Sequence, residues 1–82
     1  MIKVHLASWL GRELGVTEAE AEADTVGRLL KVLSGRFGEA FDSRVKVCKV
    51  IVNGTNVTFL KGGGTRLADG DEVTLLPPLA GG

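Results

Sequence analysis

One stretch of this chain carries a helical repeat long enough to cover a sheet. Val26, Leu29, Leu30, Leu33 and Phe37 recur at a spacing of about 3.6 residues. Asp24 and Thr25 stand just before the repeat, where a side-chain oxygen can accept a bond from an unpaired N–H of the first turn. Gly38 follows it as a terminator. Arg28, Lys31 and Arg36 occupy other faces. Gly27 and Gly35 weaken the helix by up to about 1 kcal/mol each relative to alanine, and either can mark close packing. No other segment reads as a helix. The strands must share this one cover, so the expected layout is α+β, with one main helix packed on one face of a mixed sheet of four to five strands.

The strand signals are consistent with that layout. Ile2, Val4 and Leu6 alternate with Lys3, His5 and Ala7, a period-two pattern that Trp9 and Leu10 continue less regularly. Residues 11–15 then read as a loop with Leu14 as its anchor. Over residues 16–23, alanine and glutamate favour a helix by propensity. Their strict alternation instead puts Glu18, Glu20 and Glu22 on one face of a strand. That acidic row reads as a solvated face, or alternatively as a docking surface for a basic partner. Residues 39–47 carry no clear pattern beyond Phe41, read as a loop anchor. Residues 48–52 form a β-branched strand, Asn53-Gly54 a hairpin turn, and residues 56–60 the returning strand. Leu67 should plug the core. Asp69-Gly70-Asp71 makes a tight turn, and residues 72–76 form the last strand.

Composition narrows the partners. Eighty-two residues make one domain, able to bury roughly 60–65% of the unfolded chain's surface. Ten basic residues balance ten acidic ones, which argues against a nucleic-acid binder with a broad basic face. The single cysteine, Cys48, excludes an internal disulfide framework and fits a reducing compartment. No apolar run approaches the roughly 20 residues that span a bilayer, and no signal-peptide pattern opens the sequence. The expectation is a soluble cytoplasmic protein with no membrane or nucleic-acid partner.

Side-chain chemistry is sparse. One histidine and one cysteine cannot make a two-His or two-Cys metal motif, so no bound metal or cofactor is expected. His5 reads as a strand residue and Cys48 as a small buried hydrophobe. Asp69 and Asp71 read as turn chemistry, and Trp9 as an anchor at the rim of the core or an interface residue. The sequence therefore points to its own end. Residues 1–76 form the domain, and 77–82, Pro77-Pro78-Leu79-Ala80-Gly81-Gly82, form a tail. Two prolines cannot continue a ladder and hold the base of the tail extended. Two glycines allow passage through a narrow channel that a β-carbon would obstruct. Fully extended, the tail reaches at most about 20 Å. The carboxylate of Gly82 is ionised at neutral pH and becomes an electrophile only when an ATP-using enzyme adenylates it. Pro77, Pro78, Leu79, Ala80 and Gly81 are the expected partner contacts. Phe59 and Leu75, with Leu79, are the candidates for a docking patch on the sheet face left uncovered by the helix.

The chain resembles the ubiquitin-like sulfur carriers of the MoaD/ThiS family, and within it the small subunit of molybdopterin synthase. The resemblance lies in Leu67-Ala68-Asp69-Gly70-Asp71-Glu72-Val73 followed by the tail. The Trp9–Leu14 segment, Thr25-Val26 with Leu29-Leu30, and Val52-Asn53-Gly54 support it. It implies a β-grasp fold and a role as co-substrate, with catalytic side chains belonging to other proteins. An E1-like enzyme would adenylate Gly82 with ATP, and a sulfurtransferase would convert it to a thiocarboxylate. The tail would then enter the large subunit of molybdopterin synthase. The same ending serves carriers for thiazole, cysteine or tRNA thiolation, and modifiers conjugated through the terminal glycine; the Pro77-Pro78 pair favours the molybdopterin type. Arg28 stands where the family often has a capping glutamate, and Trp9 where alanine, arginine or another aromatic is more usual.

Overall fold

The computed structural model describes residues 1–78. Among them, five strands form one mixed sheet: β1 (Ile2–Leu6), β2 (Glu18–Ala21), β3 (Lys49–Val52), β4 (Thr55–Asn56) and β5 (Glu72–Leu76). Their order is β2-β1-β5-β3-β4. β1 and β5 run parallel; the other neighbours are antiparallel. The alternation in β1 holds: Ile2, Val4 and Leu6 are buried, while Lys3 is exposed and His5 half-buried. β2 is a strand as its alternation requires, with Glu18 and Glu20 exposed and Ala21 buried. Pairing with β1 outweighs helix propensity there, because it puts Ala21 opposite Ile2.

Helix α2 (Val26–Phe37) covers the sheet as expected. Thr25 caps it by accepting a bond from the Arg28 N–H at 3.2 Å, and Gly38 ends it at φ +74°. Val26, Leu29 and Leu33 are buried in one core cluster with Val4 of β1 and Val73 and Leu75 of β5. Gly27 is there for close packing. A β-carbon at that position would stand 3.1 Å from the Gly63 carbonyl oxygen, whereas one at Gly35 would meet nothing within 4 Å.

α2 is not the only helix. Residues 8–14, expected to finish a strand and enter a loop, form α1 (Ser8–Leu14). Leu10 and Leu14 sit one turn apart, with Leu10 fully buried and Leu14 packed against the core. Gly11 does not break a strand. It lies inside the helix because a β-carbon there would come within 2.6 Å of the Leu6 carbonyl oxygen. Residues 39–45 form α3 (Glu39–Val45), whose Phe41 is a fully buried core residue on a helix and not a loop anchor. Helices of seven residues are unstable alone and owe their form to packing. Here the Arg44 guanidinium of α3 bonds the Glu13 carboxylate of α1 at 2.6 Å, and Phe41 packs near Phe37 with ring centres 6.1 Å apart.

The hairpin turn forms at Asn53-Gly54, with φ +48° and +89°. The returning strand is shorter than expected. β4 ends at Asn56, whose side-chain oxygen accepts from the Thr58 N–H at 2.9 Å and starts a 3₁₀ turn over Val57–Phe59. That local bond diverts the backbone from the ladder. A second 3₁₀ turn, Gly62–Gly64, leads to Leu67, which is buried as expected. Leu75 requires a correction. It is fully buried on the helix-covered face, opposite Leu6 and Val50, and cannot belong to a patch on the open face.

Candidate functional site

Strand β5 lies at the centre of the sheet and carries the chain into the tail. Leu75 pairs with Leu6 of β1 on one side, and Leu76 pairs with Lys49 of β3 on the other. The chain therefore leaves the sheet between the end of β1 and the start of β3. Three interactions define this exit. The Ala7 N–H donates to the Leu75 carbonyl at 3.1 Å, extending the ladder one step beyond β1. Pro77 is fully buried, so its missing N–H breaks the ladder while its ring closes the end of the core. Pro78 is exposed, and its carbonyl accepts a 3.0 Å bond from the indole N–H of Trp9.

Of the expected tail contacts, Pro77 and Pro78 thus lie together at the exit. Leu79, Ala80, Gly81 and Gly82 lie outside the described residues. Phe59 sits on the 3₁₀ turn after β4, with 82% of its surface exposed. It adjoins Leu60, Lys61, Thr65 and Arg66 around a shallow depression. The contact between Trp9 and Pro78 is not legible in the sequence as such. A lone tryptophan at an irregular strand end signals an anchor without indicating what it holds.

The other reactive groups are engaged in structural roles. The imidazole of His5 lies on the open sheet face, its Nε2 2.8 Å from a Glu72 carboxylate oxygen and its Nδ1 3.4 Å from one of Glu18. Neither ring nitrogen is directed at Cys48. The Cys48 thiol is half-buried, donates weakly to the Arg44 carbonyl at 3.4 Å, and is pushed up in pKa by burial, which disfavours the thiolate a nucleophile needs. Asp71 is a turn residue. Its carboxylate accepts from the Ala68 N–H at 2.8 Å and from the Asn53 amide at 3.1 Å, bonds that hold its pKa below the ordinary value. Among the described residues, no group of three or more His, Cys, Asp or Glu side chains could hold a metal ion, and no helix is long and apolar enough to cross a membrane.

The model of the ThiS family matches residues 5–82, from the middle of β1 through the last glycine. The chain belongs to that family. A protein of Archaeoglobus fulgidus, provisionally described as a sulfur carrier, is 34% identical over 88 residues, an alignment covering 99% of this chain and 98% of the relative. Small archaeal modifier protein 1 of Methanosarcina acetivorans superposes with a TM-score of 0.88 at 26% identity, over 99% of this chain and 95% of the other. The CysO structure from the BexX/CysO complex of Amycolatopsis orientalis gives 0.86 at 27% identity, over the full length of both chains. A Pyrococcus furiosus structure described as molybdopterin converting factor subunit 1 gives 0.79 at 27% identity, over 95% of this chain and 97% of the other. The fold of this ThiS-family chain is the ubiquitin-like β-grasp, shared with sulfur carriers and modifiers alike.

Proposed function

We propose that this chain is a sulfur carrier whose Gly82 carboxylate is the reacting group. An E1-like partner would activate it: a carboxylate oxygen attacks the α-phosphate of ATP, expelling pyrophosphate and leaving an acyl-adenylate. A sulfide equivalent delivered by a sulfurtransferase then adds to the acyl carbon and expels AMP, leaving a thiocarboxylate. The observation that carries this reading is the family match, which runs through the glycine pair to residue 82. The exit geometry supports it, because Pro77 closes the core and Pro78 emerges from it at the surface. ATP belongs to the activating enzyme in this reading, and the carrier is a co-substrate without catalytic side chains of its own.

For the acceptor, we propose the cyclic pterin precursor of molybdopterin, with the large subunit of molybdopterin synthase as the protein that receives the tail. The proline pair and the likeness to the Pyrococcus converting-factor subunit support this choice. A second reading, conjugation of Gly82 to a lysine amine, is favoured by the higher TM-score with the archaeal modifier.

Intact-mass measurement after incubation with ATP, sulfide and the cognate E1-like enzyme tests the carrier reading. The expected product has gained the mass difference between sulfur and oxygen. An unchanged mass, with an enzyme shown to be active, would sink it. Transfer of that sulfur to the pterin in the presence of the large subunit separates the acceptors. Recovery of Gly82 in isopeptide linkage from cell lysate would instead support the modifier reading.

A further inference from the structure

Trp9 stands 69 positions before Pro78 in the sequence, yet its indole N–H donates to the Pro78 carbonyl at 3.0 Å. The route between them is short and defined. The Ala7 N–H bonds the Leu75 carbonyl. The chain then turns at Ser8 with φ +56°, a left-handed conformation that residues other than glycine adopt at a cost. Helix α1 starts at that turn, and its second residue is Trp9. A strained residue thus separates the last ladder bond from the side chain that reaches the tail. The Trp9 ring is half-buried and packs on the core, so its direction is settled by its neighbours. Pro77, the residue before Pro78, is fully buried. Two consecutive tail residues are therefore held, one by burial and one through its carbonyl.

We propose that Trp9 is a positioning residue of the carrier, aiming the tail for the activating enzyme before that enzyme is met. The proposal rests on the reading of Gly82 as the reacting group. Ordering a chain segment costs conformational entropy, and a segment ordered in the free protein does not incur that cost on binding. Such preorganisation helps the ground-state complex and the transition state equally. It should therefore appear in KM and not in kcat. Trp9 acts through the Pro78 carbonyl, and its effect is on where the chain points at Pro78.

The test compares wild-type chain with Trp9→Phe as substrates of the cognate E1-like enzyme, following thiocarboxylate formation by intact mass. Phenylalanine keeps most of the ring and removes the N–H donor. The expected result is a KM raised about two- to tenfold, the worth of one neutral hydrogen bond, with kcat nearly unchanged. Equal KM values, or a lower KM for the variant, would overturn the proposal while leaving the carrier reading intact. A wild-type chain that is never charged would overturn the carrier reading and this proposal with it. Should Trp9→Phe fail to fold, the wild-type chain still decides. It has one tryptophan, so its spectrum contains one indole N–H resonance. Slow solvent exchange of that proton is expected, and exchange as fast as that of a free indole would rule the clamp out.

Discussion

The central strand β5 is entered and left in opposite ways. Its entrance is tied by small polar groups close at hand. The Asp71 carboxylate accepts from Ala68, Asn53 bonds Glu72 through both its side chain and its backbone, and the Asp71 carbonyl accepts from the Lys3 N–H at 3.0 Å. Its exit has a buried proline ring, one ladder bond and one indole. The entrance stabilises a turn that the chain must make to fold. The exit ends the sheet and delivers Pro78 to the surface. A carrier needs both properties in one strand: an anchored start and an end from which the chain can be handed to another protein.

The largest effect should come from the strand between the two ends. Leu75→Ala should lower stability by about 2–5 kcal/mol, because the side chain is fully buried and its loss leaves a cavity. Denaturant unfolding measures this; a near-neutral result would mean that Leu75 does not belong to the core. At the entrance, Gly70→Ala should cost about 1–2 kcal/mol. Gly70 holds φ +90°, and a β-carbon there would meet nothing within 4 Å, so the cost is one of backbone conformation alone. A fully tolerated alanine would show that the turn adapts.

A smaller effect is expected from Asp71→Ala, and it should depend on pH. The folded-state pKa of Asp71 is lowered, so its contribution is present above the unfolded value of about 3.9 and is lost as pH falls through the folded value. Thermal unfolding of the variant and the wild type should differ near neutrality and converge in acid below about pH 4. A difference that grows in acid would contradict the hydrogen-bonding account. The smallest effect on stability should come from Phe59→Asp, on the 3₁₀ turn after β4 and highly exposed. If Phe59 contributes to docking, this variant should fold normally and bind the activating enzyme more weakly. Unchanged binding would leave the exit as the contact that matters.

Much of the entrance can be read directly. Asn53-Gly54 and Asp69-Gly70-Asp71 are short motifs whose conformations are dictated by their own residues, and both turns form where expected. The long stripe of α2 is equally plain, since its repeat spans three turns. The short helices are not. α1 and α3 offer too few turns for a periodicity to emerge, and Gly11 resembles a breaker until its contact with the Leu6 carbonyl explains it. The expected docking patch puts Leu75 on the wrong face because β5 presents leucine to both: Leu75 inward, Leu76 half-buried on the other side. Alternation states which residues share a face, but not which face a helix will cover.

The same distinction runs through the functional site. The order of prolines and glycines at the end of the chain is a local property, and it marks the tail by what it cannot do in a sheet. That Pro77 is buried, that Pro78 is exposed, and that Trp9 holds the latter depend on parallel pairing of β1 with β5. Pairing of that kind joins opposite ends of the chain. Its partners are chosen by burial across the whole core, which no window of neighbouring residues contains.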